Sequence, residues 1–379
     1  MPQSLRQSLC YLIGKFKQPE TSTFAPMSKE AKIKNFDPNS PGDPDANIYG
    51  LPFTCEEADT VIVPVPWDVT VSYADGTSKG PEAVFNASFQ VDLYEPDLKD
   101  AWKFGIAMDD IPTQMQENAG ALREKAVLYI DALTSGKDVE KDEKMMKILA
   151  EVNHGSAEMN AWVKNRCLHW MKQGKRVGLL GGDHSTPFGM FQAQAEMHGD
   201  FGILQIDAHA DLRIAYEGFT YSHASIMYNA LSIPQVKKLV QVGIRDFCQQ
   251  ERELIENSNG RVITFFDRDM RQESYKGVTW AEMVKRIIAC LPDKVFISFD
   301  IDGLVPNLCP HTGTPVAGGL EFEQAGYLFT ELARSGKKII GFDLNEVAPG
   351  PDGDEWDANV GARMLYRLCN VMTMNAIAR

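Results

Sequence analysis

The chain has 379 residues, 44% hydrophobic and 24% charged, the balance of a globular protein with a substantial core. Its 52 acidic against 38 basic residues give a net charge of −14, which argues against nucleic acid or an anionic membrane as partner. Seven cysteines are scattered with no Cys-x-x-Cys pair, which suggests neither a disulfide framework nor a zinc knuckle and makes a reducing cytoplasm the simplest setting.

Residues 1–56 read as an N-terminal extension and 57–379 as one domain. Ser8–Phe16 is apolar but short and broken by Lys15, too weak for a signal peptide and too short to span a bilayer. Phe36–Asn47 carries Pro38, Pro41 and Pro44, which predicts an irregular stretch draped over a surface. Apolar runs then recur at Thr60–Pro66, Phe104–Met108, Arg176–Gly181, Gly202–Asp207, Leu239–Gly243, Val262–Phe266, Lys294–Asp300 and Lys338–Asp343. Most are β-branched and non-alternating, the pattern of strands buried on both faces of a parallel sheet. Helical patterning lies between them at Glu151–Lys172, Trp280–Ala289 and Glu321–Arg334, while polar Gln114–Asp142 reads as peripheral helix and loop. The alternation predicts a three-layer α/β/α fold around an eight-stranded, mostly parallel sheet.

Ligands of such sheets sit beyond the carboxyl ends of the strands. Three polar segments fall there: Gly-Gly-Asp-His-Ser at 181–185, Asp-Ala-His-Ala-Asp at 207–211 and Ser-Phe-Asp-Ile-Asp at 298–302. Continued as strand, Asp207, His209 and Asp211 would share one face, with Ala208 and Ala210 behind. Asp300 and Asp302 repeat that spacing with Ile301 turned inward. The two glycines permit a tight turn before His184, and Asp183 is placed to orient a ligand or a loop amide. A helix-capping strand end would explain any one segment, and a structural histidine would explain His184. Three such segments together point to one cluster. Its acids and imidazoles, His184, Asp207, His209, Asp211, Asp300 and Asp302, could hold two divalent cations. An oxygen-rich set suits Mn²⁺ and similar ions, and does not separate Mn²⁺ from Ni²⁺. Two close metals point to hydrolysis by a metal-bound hydroxide.

These segments resemble the ureohydrolase family: arginases, agmatinases and related guanidino-group hydrolases. Thr312–Val316, Gly318-Gly319-Leu320 and Gly341–Val347 extend the likeness, which covers about residues 60–375. Pro66–Tyr73, Gly76-Thr77, Gly80-Pro81 and Tyr221–Ala224 are similar to the agmatinase branch, and the arginase stretch that grips an α-amino acid is not visible between Asp211 and His223. Gly303–Pro306 and Val84-Phe85 depart from the agmatinase pattern, as do the extension and the 114–142 segment. Longer members of this kind include hydrolases of free guanidine, so that substrate stays open beside agmatine.

The resemblance implies an arginase-like fold and a ureohydrolase domain over 57–379. It implies one metal on His184, Asp207, Asp211 and Asp300 and a second on His209, Asp207, Asp300 and Asp302, with Asp207 and Asp300 shared. The implied reaction cleaves a guanidino C–N bond and releases urea with an amine or ammonia. Asp211 would relay a proton, and Glu346 would receive the guanidinium N–H groups. His223 would act as acid, base or shuttle, its ordinary pKa of ~6.5 suiting that task, unless it is a plain loop histidine. A small cationic guanidino substrate and a homo-oligomer, trimer or hexamer, follow from the same likeness. Arginase or formiminoglutamase activity and a catalytically silent binding relative remain alternatives. A one-zinc deacylase would need a paired-histidine motif that is not apparent.

Other residues carry less. Asp343 reads as support for the site or as a capping acid, and Arg245 as a carboxylate holder or a subunit contact. Trp67, Tyr73 and Tyr221 read as pocket wall or core. Cys309 and His311 read as structural or pocket-rim residues, and His154, His169 and His198 as structural.

Overall fold

Eight apolar runs form one sheet in the computed structural model, which describes residues 27–378. The Ser8–Phe16 segment lies outside the described residues. The strands are β1 (Thr60–Val65), β2 (Ile106–Met108), β3 (Arg176–Gly181), β4 (Phe201–Ile206), β5 (Val236–Ile244), β6 (Val262–Phe266), β7 (Lys294–Asp300) and β8 (Lys338–Asn345). Their order is β2-β1-β3-β8-β7-β4-β5-β6, and every pairing is parallel. Pro64 in β1 falls past the stretch paired with β2, which ends at Ile62, so it costs that ladder no bond.

The helices are α1 (Lys29–Asn35), α2 (Gly80–Ser88), α3 (Thr113–Thr134), α4 (Glu143–Lys172), α5 (Phe188–His198), α6 (Ile226–Leu231), α7 (Gln249–Asn257), α8 (Asp267–Tyr275), α9 (Trp280–Ala289), α10 (Phe322–Arg334) and α11 (Trp356–Ile377). They cover both faces of the sheet, leaving one apolar cluster on each side. Strand side chains such as Phe296, Phe299 and Phe342 are fully buried, each worth about 1.5–3 kcal/mol of transfer free energy. None of the described helices is long and apolar enough to cross a membrane. The described cysteines are free thiols.

Two expectations change. Phe36–Asn47 is irregular as expected, but the chain then enters the core: Ile48, Tyr49, Leu51 and Phe53 are buried, and Tyr49 Oη donates to Ala362 O at 3.0 Å. Segment 114–142 is less peripheral than its polarity predicts, because α3 turns Met115, Ala119, Ala126, Tyr129 and Ile130 inward.

Strand register sets up the site. Leu180 pairs with Leu344, Leu344 with Phe299, and Phe299 with Ile206, one row across β3, β8, β7 and β4. The next residue on each strand is Gly181, Asn345, Asp300 or Asp207. The polar segments therefore leave four adjacent strands at one level.

Candidate metal centre

Beyond that row the acids and imidazoles converge in two nests. In the first, His184 Nδ1 lies 2.9 Å from Asp207 Oδ2, 3.1 Å from Asp211 Oδ2 and 3.3 Å from Asp300 Oδ2. In the second, His209 Nδ1 lies 3.0 Å from Asp302 Oδ2 and 3.6 Å from Asp207 Oδ1. Asp207 thus turns one oxygen to each imidazole. Asp300 enters only the first nest by these contacts, since its Oδ1 accepts from Asp302 N at 2.9 Å.

The backbone arrangement differs from a continued strand. β4 ends at Ile206, and Asp211 has φ +55°, so strict alternation is lost before the last acid. The reason is local bonding: His209 N donates to Asp207 Oδ1 at 2.6 Å, while Arg245 N and Asp246 N both donate to Ala208 O. Glu346, at φ +64°, is also in the left-handed region; such strain costs about 1–3 kcal/mol and is held by its surroundings. The Gly181-Gly182 pair serves close approach rather than a left-handed turn. A Cβ on Gly182 would lie 2.0 Å from Trp67 O. Gly303 likewise brings the two acid segments together, with its missing Cβ 2.7 Å from Asp207 N.

Supporting contacts orient the nests. His184 Nε2 meets Ser298 Oγ at 3.0 Å, and Ser298 Oγ donates to Asp343, 3.0 Å from both oxygens. With that hydroxyl hydrogen spent on a carboxylate, Ser298 accepts the Nε2 hydrogen, and the His184 lone pair is left on Nδ1. Asp343 also accepts from Phe299 N and Asn345 Nδ2, which makes it support for the site rather than a cap. Asp183 Oδ1 accepts from Ser185 N and Oγ. Asp302 Oδ1 accepts from Ala208 N at 3.0 Å, leaving Oδ2 aimed at His209. Arg245 donates to the carbonyls of Gly243, Asp302, Leu304 and Val316, tying the turn after Asp302.

Electrostatics match this packing. Burial opposes charge on His184, but Asp207, Asp211 and Asp300 carry its pKa well above the ordinary value. Burial also opposes charge on His209, yet Asp302 and Asp207 push it up to about 12. Burial raises the Asp211 carboxyl to about 8, with Asp207 adding to the rise. Burial, then Asp302 and Asp207, hold Asp300 well above the carboxylate range. Asp207 goes the other way, because the two imidazoles outweigh its burial. His184 Nδ1 and Asp302 Oδ2 are buried without a hydrogen-bond partner. Buried orphan ligand atoms opposed across two nests fit a pair of divalent cations.

A cavity of about 160 Å³ opens beside His209 and Asp211, walled by Ser72, Arg213, Tyr216 and His223. His223 is not the near-neutral titrating group its ordinary pKa predicts. Burial, then His209 and His184, lower it to about 3. Glu346 accepts from His184 N at 2.8 Å through Oε1, while Oε2 is buried and unpartnered. Burial, then Asp300 and Asp183, raise its carboxyl well above the usual range.

Of the aromatic candidates, Trp67 is core, Tyr73 is exposed, and Tyr221 packs on Phe188 with ring centroids 5.6 Å apart. Tyr216, which reading the sequence missed, lines the cavity; only its proximity to Arg213 and Asp211 could have flagged it. Cys309 Sγ bonds Ile301 O, and His311 pairs with buried Asp357 at 2.9 Å, both structural. A larger cavity, about 730 Å³, lies away from the cluster between Asn47, Cys55 and Trp170, where Asp109 is already satisfied by Arg166 and Trp170.

Residues 58–370 match the model of the arginase family. The chain belongs to the arginase family. An N(1)-aminopropylagmatine ureohydrolase of Thermus thermophilus is 30% identical over 85% of this chain and 92% of that protein. The agmatinase of Bacillus subtilis is 27% identical over 83% of this chain and 91% of its own. Among solved structures, agmatine ureohydrolase of Thermoplasma volcanium superposes with a TM-score of 0.64 at 22% identity, covering 86% of this chain and 94% of that one. Arginase from Bacillus subtilis superposes at 0.58 with 19% identity, covering 82% and 98%. These similarities bear out the arginase-like α/β/α fold and the agmatinase-like likeness of the sequence.

Proposed function

We propose that this arginase-family protein is a binuclear-metal hydrolase that cleaves a guanidino C–N bond and releases urea with an amine or ammonia. The observation that carries the reading is Asp207, whose two oxygens face two different imidazoles 2.9 and 3.6 Å away. A carboxylate so placed is suited to sharing between two cations. His184, Asp207, Asp211 and Asp300 would hold one and His209, Asp207 and Asp302 the other, with Asp300 open to sharing. Mn²⁺ suits the oxygen-rich set best, and Ni²⁺ is the second choice. When bound, such ions lower the pKa of water from ~15.7 toward ~7, which supplies a nucleophile at neutral pH.

The chain's own residues do the rest. Glu346 Oε2, free of protein partners, receives the N–H groups of a planar guanidinium and sets its carbon toward the nests. Asp211 borders both the first nest and the cavity, which suits it to pass a proton to the leaving nitrogen. His223 lines the cavity wall beside Asp211, which places an uncharged imidazole next to a cationic substrate. The small cavity favours agmatine, guanidine or another compact guanidino compound. The same reading includes a cytoplasmic homo-oligomer, trimer or hexamer.

The test is urea release from agmatine, guanidine, arginine, guanidinobutyrate and formiminoglutamate by protein loaded with Mn²⁺ or Ni²⁺ at measured stoichiometry. Release from at least one compound with two ions bound is the expected result. Silence across the panel with both ions bound overturns the reading.

A further inference from the structure

Two loops outside the sheet form one side of the cavity, the rest being lined by Asp246, Phe247, Glu251 and Thr314. Residues 66–76 bring Ser72, and residues 212–224 bring Arg213, Tyr216 and His223. Both loops lean on the pair α3 and α4, and they do so through polar side chains. Arg123 on α3 donates from Nη1 to Val69 O at 3.2 Å and to Val71 O, immediately before Ser72. Asn153 on α4 takes hold of the second loop, donating to Gly218 O at 3.2 Å and accepting from Thr220 N at 2.9 Å.

We propose that Arg123 and Asn153 are positioning residues that set the width of the substrate cavity, so that the α3–α4 pair determines which guanidino compounds fit. Close packing cannot do this for the first loop. A gap of about 280 Å³ separates it from α3, lined by Asp68, Asp75, Gly120 and Arg123, and the guanidinium bridges it. Arg123 also faces the second loop. Glu217 there has φ +52° and a buried, unpartnered Oε2, and Arg123 Nε is buried and unpartnered as well. Burial raises the Glu217 carboxyl, and Arg123 pulls it back. Gly218 sits so close that a Cβ would lie 3.0 Å from Tyr129 Oη of α3. The Tyr129 and Phe219 rings meet edge to face at 5.5 Å. The two helices also meet through Lys125 on Glu151 at 2.8 Å. Fixing both loops to one rigid pair fixes the distance between them, and with it which compound the cavity admits.

The inference rests on the guanidino-hydrolase reading for its kinetic arm alone. The variants are Arg123→Met, Arg123→Lys and Asn153→Ala in the Mn²⁺-loaded protein, assayed on guanidine, agmatine and an aminopropyl-extended agmatine. In Arg123→Met we expect KM for the preferred compound to rise about tenfold with kcat within about twofold, and preference to move toward the longer compounds. Arg123→Lys, which keeps charge and one donor, should recover most of the loss. Amide exchange over residues 69–76 and 216–220 should quicken in Arg123→Met, and this arm needs no activity. Unchanged KM ratios with unchanged exchange overturn the proposal, as does an equal fall in kcat for every compound that lysine does not rescue. Should Arg123→Met not fold, Asn153→Ala reads the same two quantities on the second loop. If the wild type hydrolyses no guanidino compound, the function falls, and the exchange arm still decides the clamp.

Discussion

Ser298 Oγ stands 3.0 Å from His184 Nε2 and gives its own hydrogen to Asp343, so a serine on β7 decides which nitrogen of a histidine after β3 is free. Ser298→Ala removes that decision. Metal affinity should fall about 10- to 100-fold, the usual effect of losing a partner behind a ligand. Competition against a fluorescent chelator reads the affinity, and a circular dichroism spectrum matching wild type shows that the fold is kept. Wild-type affinity in the variant would show that the His184 tautomer is set by something else.

Asp207→Asn tests the shared carboxylate. An amide offers one oxygen and no charge, so bound metal should drop from two ions to one or none, and kcat should fall by more than about 100-fold. Metal content by plasma emission after gel filtration checks the first, and urea release the second. Two ions retained at full activity would remove Asp207 from the shared position.

Glu346→Gln keeps an acceptor for His184 N but replaces the second carboxyl oxygen with an amide nitrogen that cannot receive the substrate's N–H groups. KM should rise and kcat/KM should fall about 100-fold, roughly 2.7 kcal/mol, with metal content unchanged. Steady-state kinetics on the best substrate, alongside metal analysis, reads both. Loss of metal instead would make Glu346 part of the metal site.

Metal removal should expose a pH dependence of stability. Burial raises the Asp343 carboxyl from an ordinary 3.8 to about 7, so the folded chain holds a proton that the unfolded chain releases. That contribution is whole below the unfolded pKa, shrinks as pH rises, and is gone above about 7. The raised pKa of His209, about 12, adds the same sign above its ordinary 6.5. The Tm of chelator-treated protein should therefore fall from pH 5 to pH 8, and saturating Mn²⁺ should flatten the fall by supplying positive charge to the cluster. A metal-free Tm that rises over this range would contradict the assignment.

Much of this molecule is written locally. Runs such as Thr60–Val65 and Lys294–Asp300 are apolar and β-branched without alternation, and only a two-sided burial makes such runs stable, so strand positions and the α/β/α class follow from the chain alone. Polar segments at the ends of those runs mark where ligands gather, which is why the six acids and imidazoles stood out together. What stayed hidden depends on atoms far apart in sequence. Nothing near Asp207 announces the left-handed backbone of Asp211, whose carbonyl is held by the distant Met227 and Tyr228 amides. The ordinary histidine at 223 has its pKa lowered only when folding partly buries it and sets His209 and His184 nearby. Arg123 reads as one more charge on a polar helix until the fold lays Val69 and Val71 carbonyls across it. Hydrophobic periodicity is a property of neighbours along the chain, whereas ligand geometry, proton affinity and cavity width are properties of neighbours in space, and only packing creates those.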